Sequence, residues 1–422
     1  MVINRLAIKN GKKEIVVKGP HFIWPRITKK TERAVLKQLR KTISIYDNSD
    51  VVGRLESNLS KYFDADYALL TNSGTCALYS MYIGAGLKEG DEIIVPCYTF
   101  FATATPIFFT GATPVLADCR QDGNIDPKEI LKKITNKTKA KVITHMWGLP
   151  CEMDEIAKIA REHNLLLLED ISHAFGASYN GKKVGSFGDA AACSLQSQKN
   201  VVGGEGGFVI TNNKEIFYHA LLLGHYNKRC KNEIPKDHKL SNYSLTCMGL
   251  KLRIHPLAAS IAEEQLSNLQ SVISGREKFA SWMIKEIGKI KGLEPIVPSK
   301  NAKSAWYALM IKYNKSKVSD ISREKFHEAV VAEGATELDI PKSTCPLNLT
   351  KLFQSPGELF PNYKGKFSYK EGDFPIAEGF YNSTLKLPVW DRQKDKKIAL
   401  KYIKSLKKVI NNQKELIDYD KG

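Results

Sequence analysis

The sequence predicts a doubly wound α/β fold: a large, mostly parallel sheet covered by helices, followed by a smaller α/β domain. Three observations carry this expectation. Short, nearly continuous apolar runs recur at 67–71, 92–96, 113–117, 140–144 and 165–169. Stretches with helical spacing separate them, and apolar strands lying between helices signal a parallel sheet buried on both faces. After about residue 268 the character changes to long Lys/Glu-rich helices mixed with isolated strands.

Length and composition agree with this class. The chain has 422 residues, 43% hydrophobic and 26% charged. That is ordinary for a globular protein and excludes a wholly disordered, collagenous or coiled-coil chain. The net charge of +18 comes from 51 Lys and 12 Arg against 45 acidic residues. The lysines are spread along the chain, whereas a nucleic-acid binder concentrates basic residues on one face and favours Arg for paired contacts. A solvated surface is the simpler reading, and it remains compatible with an acidic or phosphorylated substrate. Eight cysteines at irregular spacing, without a CxxC pair, argue against zinc or disulfide frameworks and for a reducing cytoplasm. The N-terminus is interrupted by Lys9, Lys12, Lys13 and Glu14 and does not read as a signal peptide. The uncharged run 93–117 is broken by Pro96, Pro106, Gly111 and Pro114, so it reads as buried α/β interior rather than a membrane span.

In order, residues 1–45 read as an N-terminal arm with one helix at 31–42. A second amphipathic helix is expected at 51–63. The large domain then spans 46–267: strands at 67–71, 92–96, 113–117, 140–144 and 165–169, with helices following Ser73-Gly74-Thr75 and at 102–110, 127–134 and 153–162. Two further strands, 191–194 and 207–211, flank a glycine-rich turn, and a helix covers 256–267. The small domain is placed at 268–422, with helices at 275–291 and 322–333 and a strand at 305–313. Residues 341–373 are expected to loop out.

Four features fall at the ends of these strands, where ligands bind in open parallel sheets. Asn72-Ser73-Gly74-Thr75 starts a helix, whose free N–H groups and positive dipole end suit a phosphate, although the same residues also make a plain helix cap. The run ending at Phe100 and Phe101 offers a ring for stacking, or core aromatics. Residues 165–168, all Leu, end in Glu169-Asp170, with His173 close behind. A carboxylate at the tip of a buried strand needs a partner, and a protonated pyridine nitrogen would be one; a helix-capping Asp is the alternative. Finally Ser194, Gln196 and Lys199 precede Gly203-Gly204-Glu205-Gly206-Gly207, and Lys199 lies 29 residues after Asp170. A lysine of depressed pKa can form a Schiff base. In order, these are the protein's share of a pyridoxal phosphate site.

With these motifs the chain resembles the DegT/StrS family of sugar and aminocyclitol aminotransferases, within the fold-type I pyridoxal phosphate enzymes. The matching text is TNSGTCAL (71–78), GDEIIVPCYTFFAT (90–103), HMWGLPCEMDEI (145–156), LLEDISHAFGA (167–177), VGSFGDAAACSLQSQKNVVGGEGG (184–207) and FPIAEGFYNSTLKLP (374–388). The resemblance implies that Lys199 carries the cofactor covalently and moves the proton. It implies that Asp170 pairs with the ring nitrogen, that His173 lies near the phenolic oxygen, and that Phe100 stacks on the ring. Gly74, Thr75 and Ser194 are implied to hold the phosphate, with Gln196 beside them. Related dehydratases carry His where this chain has Lys199, so amino transfer is the favoured reaction.

Two departures stand out. The family's GxNxR stretch reads Gly249-Leu250-Lys251-Leu252-Arg253, which places Lys251 where an Asn reaches the phosphate of the neighbouring subunit's cofactor. Gln196 stands where some sugar-nucleotide members have His, as in aminocyclitol and certain amino-sugar branches. The resemblance implies active sites shared across subunits and hence a homodimer, and the cysteine usage places it in the cytoplasm. It would take an amino group from Glu or Gln and pass it to a keto-sugar, nucleotide-linked, or to a keto-cyclitol. No metal, nucleic-acid or membrane partner is expected, on the cysteine spacing, the scattered lysines and the broken apolar run. A pyridoxal-phosphate-dependent sugar dehydratase and a non-catalytic regulatory binder of the cofactor are the alternative readings.

Overall fold

The computed structural model describes residues 5–417. Its centre is a seven-stranded sheet: β1 (Tyr67–Thr71), β2 (Glu92–Pro96), β3 (Thr113–Ala117), β4 (Thr138–Thr144), β5 (Leu166–Asp170), β6 (Ala190–Ser194) and β7 (Gly207–Thr211). They run in the order β1-β7-β6-β5-β4-β2-β3. β7 is antiparallel to both its neighbours, and the remaining neighbouring pairs are parallel. Alternation along each strand feeds two apolar layers. Ile93, Val95, Val142 and Leu168 enter one, and Ile94, Ile143 and Leu167 enter the other. Burying each such side chain contributes about 1.5–3 kcal/mol, which is why these strands are apolar on both faces.

Helices cover both faces. α1 (Lys29–Lys41) and α2 (Asp50–Phe63) precede the sheet, and α3 (Gly74–Gly84) follows β1 directly. α4 (Pro256–Ile287) crosses towards a second sheet of β8 (Leu293–Pro295), β9 (Leu309–Tyr313) and β10 (Thr384–Leu387), antiparallel throughout in the order β8-β9-β10. This second sheet has its own apolar core, which also takes in Leu6 and Ile15 from the N-terminal segment.

Three local expectations need correction. The helices expected at 256–267 and 275–291 are one helix, α4, and the boundary expected at 267/268 lies inside it. Gly275 is not a break: a Cβ there would sit 2.3 Å from the carbonyl oxygen of Asp391, so glycine lets the C-terminal segment pack against the helix. The helix expected at 102–110 is a 3-10 turn, Phe101–Thr103, followed by a short helix, Thr105–Phe108. Residues 341–373 do not loop out. Phe353 is fully buried, and Phe353, Phe360, Tyr363 and Phe367 gather round Phe108. The Tyr369 hydroxyl accepts from the backbone N–H of Leu116 on the edge strand β3 at 3.0 Å, which covers that edge. Aromatics spaced among Pro, Gly and Lys carry no helical or strand period, so their burial escapes pattern reading.

Among the described residues no helix is long and apolar enough to cross a membrane.

Candidate active site

The C-terminal ends of the parallel strands surround a cavity of about 500 Å³. That is within the roughly 300–1,000 Å³ usual for small-molecule sites. Gly74, Thr75, Phe100, Asp170, His173, Ser194, Gln196 and Lys199 all line it. Lys251 does not: it lies exposed, with φ 55°, outside this chain's own cavity.

Each wall follows from local sequence. Ser73 caps α3, its side chain accepting from the Cys76 N–H at 3.1 Å. The first N–H groups of the helix, at Gly74 and Thr75, have no intrahelical acceptor and open into the cavity. Glycine at 74 is obligatory, because a Cβ would lie 2.5 Å from the Ser194 Cβ at the end of β6. The helix start and the strand end therefore form one cradle of donors.

Strand alternation separates the two carboxylates at the tip of β5. Glu169, fully buried, accepts from the backbone N–H groups of Gly185, Phe187 and Gly188 at 2.7–2.8 Å and contacts His145 Nε2 at 3.1 Å. Its role is to hold the 185–188 loop. Asp170 takes the cavity side: Oδ2 accepts from the Thr103 hydroxyl at 2.7 Å and Oδ1 from the Ser172 N–H at 3.0 Å.

Lys199 follows the turn after β6. Its backbone is pinned, its N–H donating to Gln196 O at 2.9 Å and its carbonyl accepting from Trp24 Nε1 at 2.8 Å. Burial pushes its amine down to about 8, with Asp170 opposing the fall. Roughly one amine in ten is therefore neutral at pH 7. The amine lies 5.0 Å from the Tyr307 ring centre. His173 stacks on Tyr307 at 4.2 Å and 7°, and burial, with Lys199 and Lys386 nearby, holds its imidazole well below the usual range and so neutral.

Sequence reading missed Trp147, Tyr307, Asp339, Lys342 and Lys386, which also line the cavity. Trp147 and Lys386 sit inside the quoted HMWGLP and STLKLP stretches, which gave a signal of position but not of role. Tyr307, Asp339 and Lys342 carried no signal, being single residues of the C-terminal region brought over the sheet by the fold.

The residues present fit pyridoxal 5′-phosphate. The N–H groups at the start of α3 suit its phosphate, and the Asp170 carboxylate suits a pyridine nitrogen. Lys199 offers an amine of depressed pKa to its aldehyde. His173 Nδ1 is buried without a protein partner, a polar atom that a bound group would satisfy.

Comparison with known proteins agrees. The DegT/DnrJ/EryC1/StrS aminotransferase family matches residues 26–400. GDP-perosamine synthase of Escherichia coli O157:H7 is 33% identical over 267 residues, covering 63% of this chain and 71% of that protein. The dTDP-3-amino-3,4,6-trideoxy-alpha-D-glucose transaminase of Streptomyces venezuelae is 28% identical over 336 residues, covering 79% and 80%. The structure of the aminotransferase from Psychrobacter cryohalolentis superposes with a TM-score of 0.81 at 26% identity, covering 93% of this chain and 99% of that one. Fold, cavity and kinship converge: this chain belongs to the DegT/DnrJ/EryC1/StrS aminotransferase family, has the fold-type I architecture and takes pyridoxal 5′-phosphate as its cofactor.

Proposed function

We propose that the protein moves an amino group from glutamate or glutamine to a keto-sugar carried on a nucleoside diphosphate. The observation that carries this reading is the convergence of the Lys199 amine and the Asp170 carboxylate on one cavity, beside the donor cradle at the start of α3. The relatives' names, which specify GDP- and dTDP-linked amino sugars, support the acceptor class.

Pyridoxal phosphate, when bound, supplies the electron sink that lets a carbon next to nitrogen lose its proton. The chain's own groups do the rest. Lys199 Nζ takes the α-proton of the donor and returns one during transfer, and its depressed pKa keeps the free base accessible near neutrality. Asp170 supplies the negative charge that holds a proton on the ring nitrogen, and Thr103 and Ser172 fix that carboxylate. His173, neutral, offers a hydrogen bond without adding charge. Phe100 and the wall of Trp147 and Tyr307 limit water at the reacting atoms. Gly74, Thr75 and Ser194 hold the phosphate, with Gln196 at the edge of the cradle.

Visible absorption tests the reading. The cofactor-loaded protein is expected to lose its visible band on adding glutamate or glutamine, and to regain it with a nucleotide-linked keto-sugar. Recovery with a keto-inositol alone would move the acceptor to the cyclitols. A protein that cannot be loaded, or a band that neither donor changes, would overturn the proposal.

The assembly we propose is a homodimer. Tyr243, Leu245, Met248 and Leu250 are 60%, 64%, 69% and 47% exposed in the loop that carries Lys251. Such a run of exposed apolar side chains marks a contact surface. It supports a second copy docking there, with Lys251 reaching that copy's phosphate site. Sedimentation should give a dimer for the wild type and a monomer for Leu245→Asp/Met248→Asp; a monomeric wild type would refute the arrangement.

A further inference from the structure

An amino-acid donor brings a carboxylate next to the carbon that reacts. Desolvating that charge is costly unless the site provides a cation. No arginine lines the cavity among the described residues; its strongly basic side chains are Lys199, Lys342 and Lys386. Lys199 is engaged in the chemistry. Lys342 is 78% exposed, whereas Lys386 is only 29% exposed.

Lys386 is also the better placed. On β10 its neighbours Leu385 and Leu387 are fully buried in the C-terminal core, so alternation turns Lys386 to the cavity. Reciprocal backbone bonds with Asp339, at 2.9 and 2.8 Å, hold its position. Its ammonium lies 3.2 Å from Asp339 Oδ2 and 5.9 Å from the Trp147 ring centre. Trp147 is 6.0 Å from Tyr307, the ring that carries the Lys199 amine. The two amines thus share one aromatic wall.

Asp339 makes the arrangement reversible. Its other oxygen is 3.2 Å from Lys342, so two cations share one carboxylate and leave one positive charge over. The cavity must admit a carboxylate-bearing donor and then a hydroxyl-rich acceptor in the same place. A lysine on a flexible stem, with its own counter-ion, can turn to the donor and return to Asp339 when the acceptor enters.

We propose that Lys386, paired with Asp339 at the cavity wall, binds the α-carboxylate of the amino-acid donor and sets donor specificity; this rests on the aminotransferase reading above.

The test uses the cofactor-loaded protein and Lys386→Met. The concentration of glutamate or glutamine that half-bleaches the visible band is expected to rise roughly 10- to 100-fold, the loss of a charge-assisted hydrogen bond. The band itself before donor addition, and the saturation of the acceptor step, should stay unchanged. Binding of 2-hydroxyglutarate, which has the carboxylate but no amine, should weaken by a similar factor in calorimetry. Lys386→Gln, a smaller perturbation of packing, should reproduce the shift, and Lys386→Arg should reverse most of it. Unchanged donor saturation would overturn the assignment, as would a rise confined to the acceptor step. A wild-type band indifferent to both donors would instead defeat the aminotransferase reading, and this assignment with it.

Discussion

Lys199→Ala is expected to lower transamination by on the order of 10⁴-fold or more, because one side chain serves as both covalent anchor and proton carrier. The measurement is keto-acid release from the donor, together with retention of the cofactor through gel filtration. The variant should lose both, while Lys199→Arg, which keeps the charge, should recover neither. The fold should survive. The folded amine binds its proton less tightly than an unfolded lysine, titrating near 8 rather than 10.5. The stability of the cofactor-free wild type therefore rises as pH climbs from about 8 to 10.5 and carries a penalty at pH 7. The alanine variant lacks that penalty, so it should melt no lower than the cofactor-free wild type at pH 7. Turnover within tenfold of the wild type would remove Lys199 from the centre of the mechanism.

Asp170→Asn has the next largest expected effect. The amide oxygen can still accept from the Ser172 N–H, which bonds Oδ1 at 3.0 Å, and the amide NH2 can donate to the Thr103 hydroxyl, which bonds Oδ2 at 2.7 Å and is free to turn, so the geometry of the β5 tip should persist. What disappears is the negative charge needed to keep a proton on the ring nitrogen. Removing a preorganised charge of this kind lowers rates by about 10²–10³-fold, and the donor half-reaction should fall by that much. The cofactor should remain bound, because its phosphate cradle and Lys199 are untouched. A variant losing less than tenfold, with normal cofactor content, would assign the electron-sink role elsewhere.

Much of the architecture was legible in the residues alone. Strands 67–71, 92–96, 113–117 and 207–211 and the helix 153–162 lie where the pattern placed them. The reason is local: strands apolar on both faces and bounded by turn residues have few other solutions. The residues expected to line the cavity from this chain were legible too. Asp170 ends its strand and Gly74 and Lys199 lie just beyond theirs, on the side where parallel topology brings separate loops together.

Tertiary contact decided the rest. Gly275 looks like a helix break until Asp391 is seen against it. The aromatics of 341–373 look like loop residues until Phe108 and the edge of β3 provide a surface for them. His173 carried a position but no protonation state; burial against Tyr307, with two lysines nearby, makes it neutral. Asp339 and Lys386 are 47 residues apart, and the alternation of β10 says which way Lys386 turns but not what it meets; a bridge between two C-terminal segments makes them a pair facing the cavity. By itself, the sequence determined the strands, their helices and the residues at the strand tips, because hydrophobic period and turn chemistry act over a few neighbours. Only the tertiary structure decided which distant single residues complete the cavity and which charges they carry, because desolvation and ion pairing depend on groups that the chain brings together only when folded.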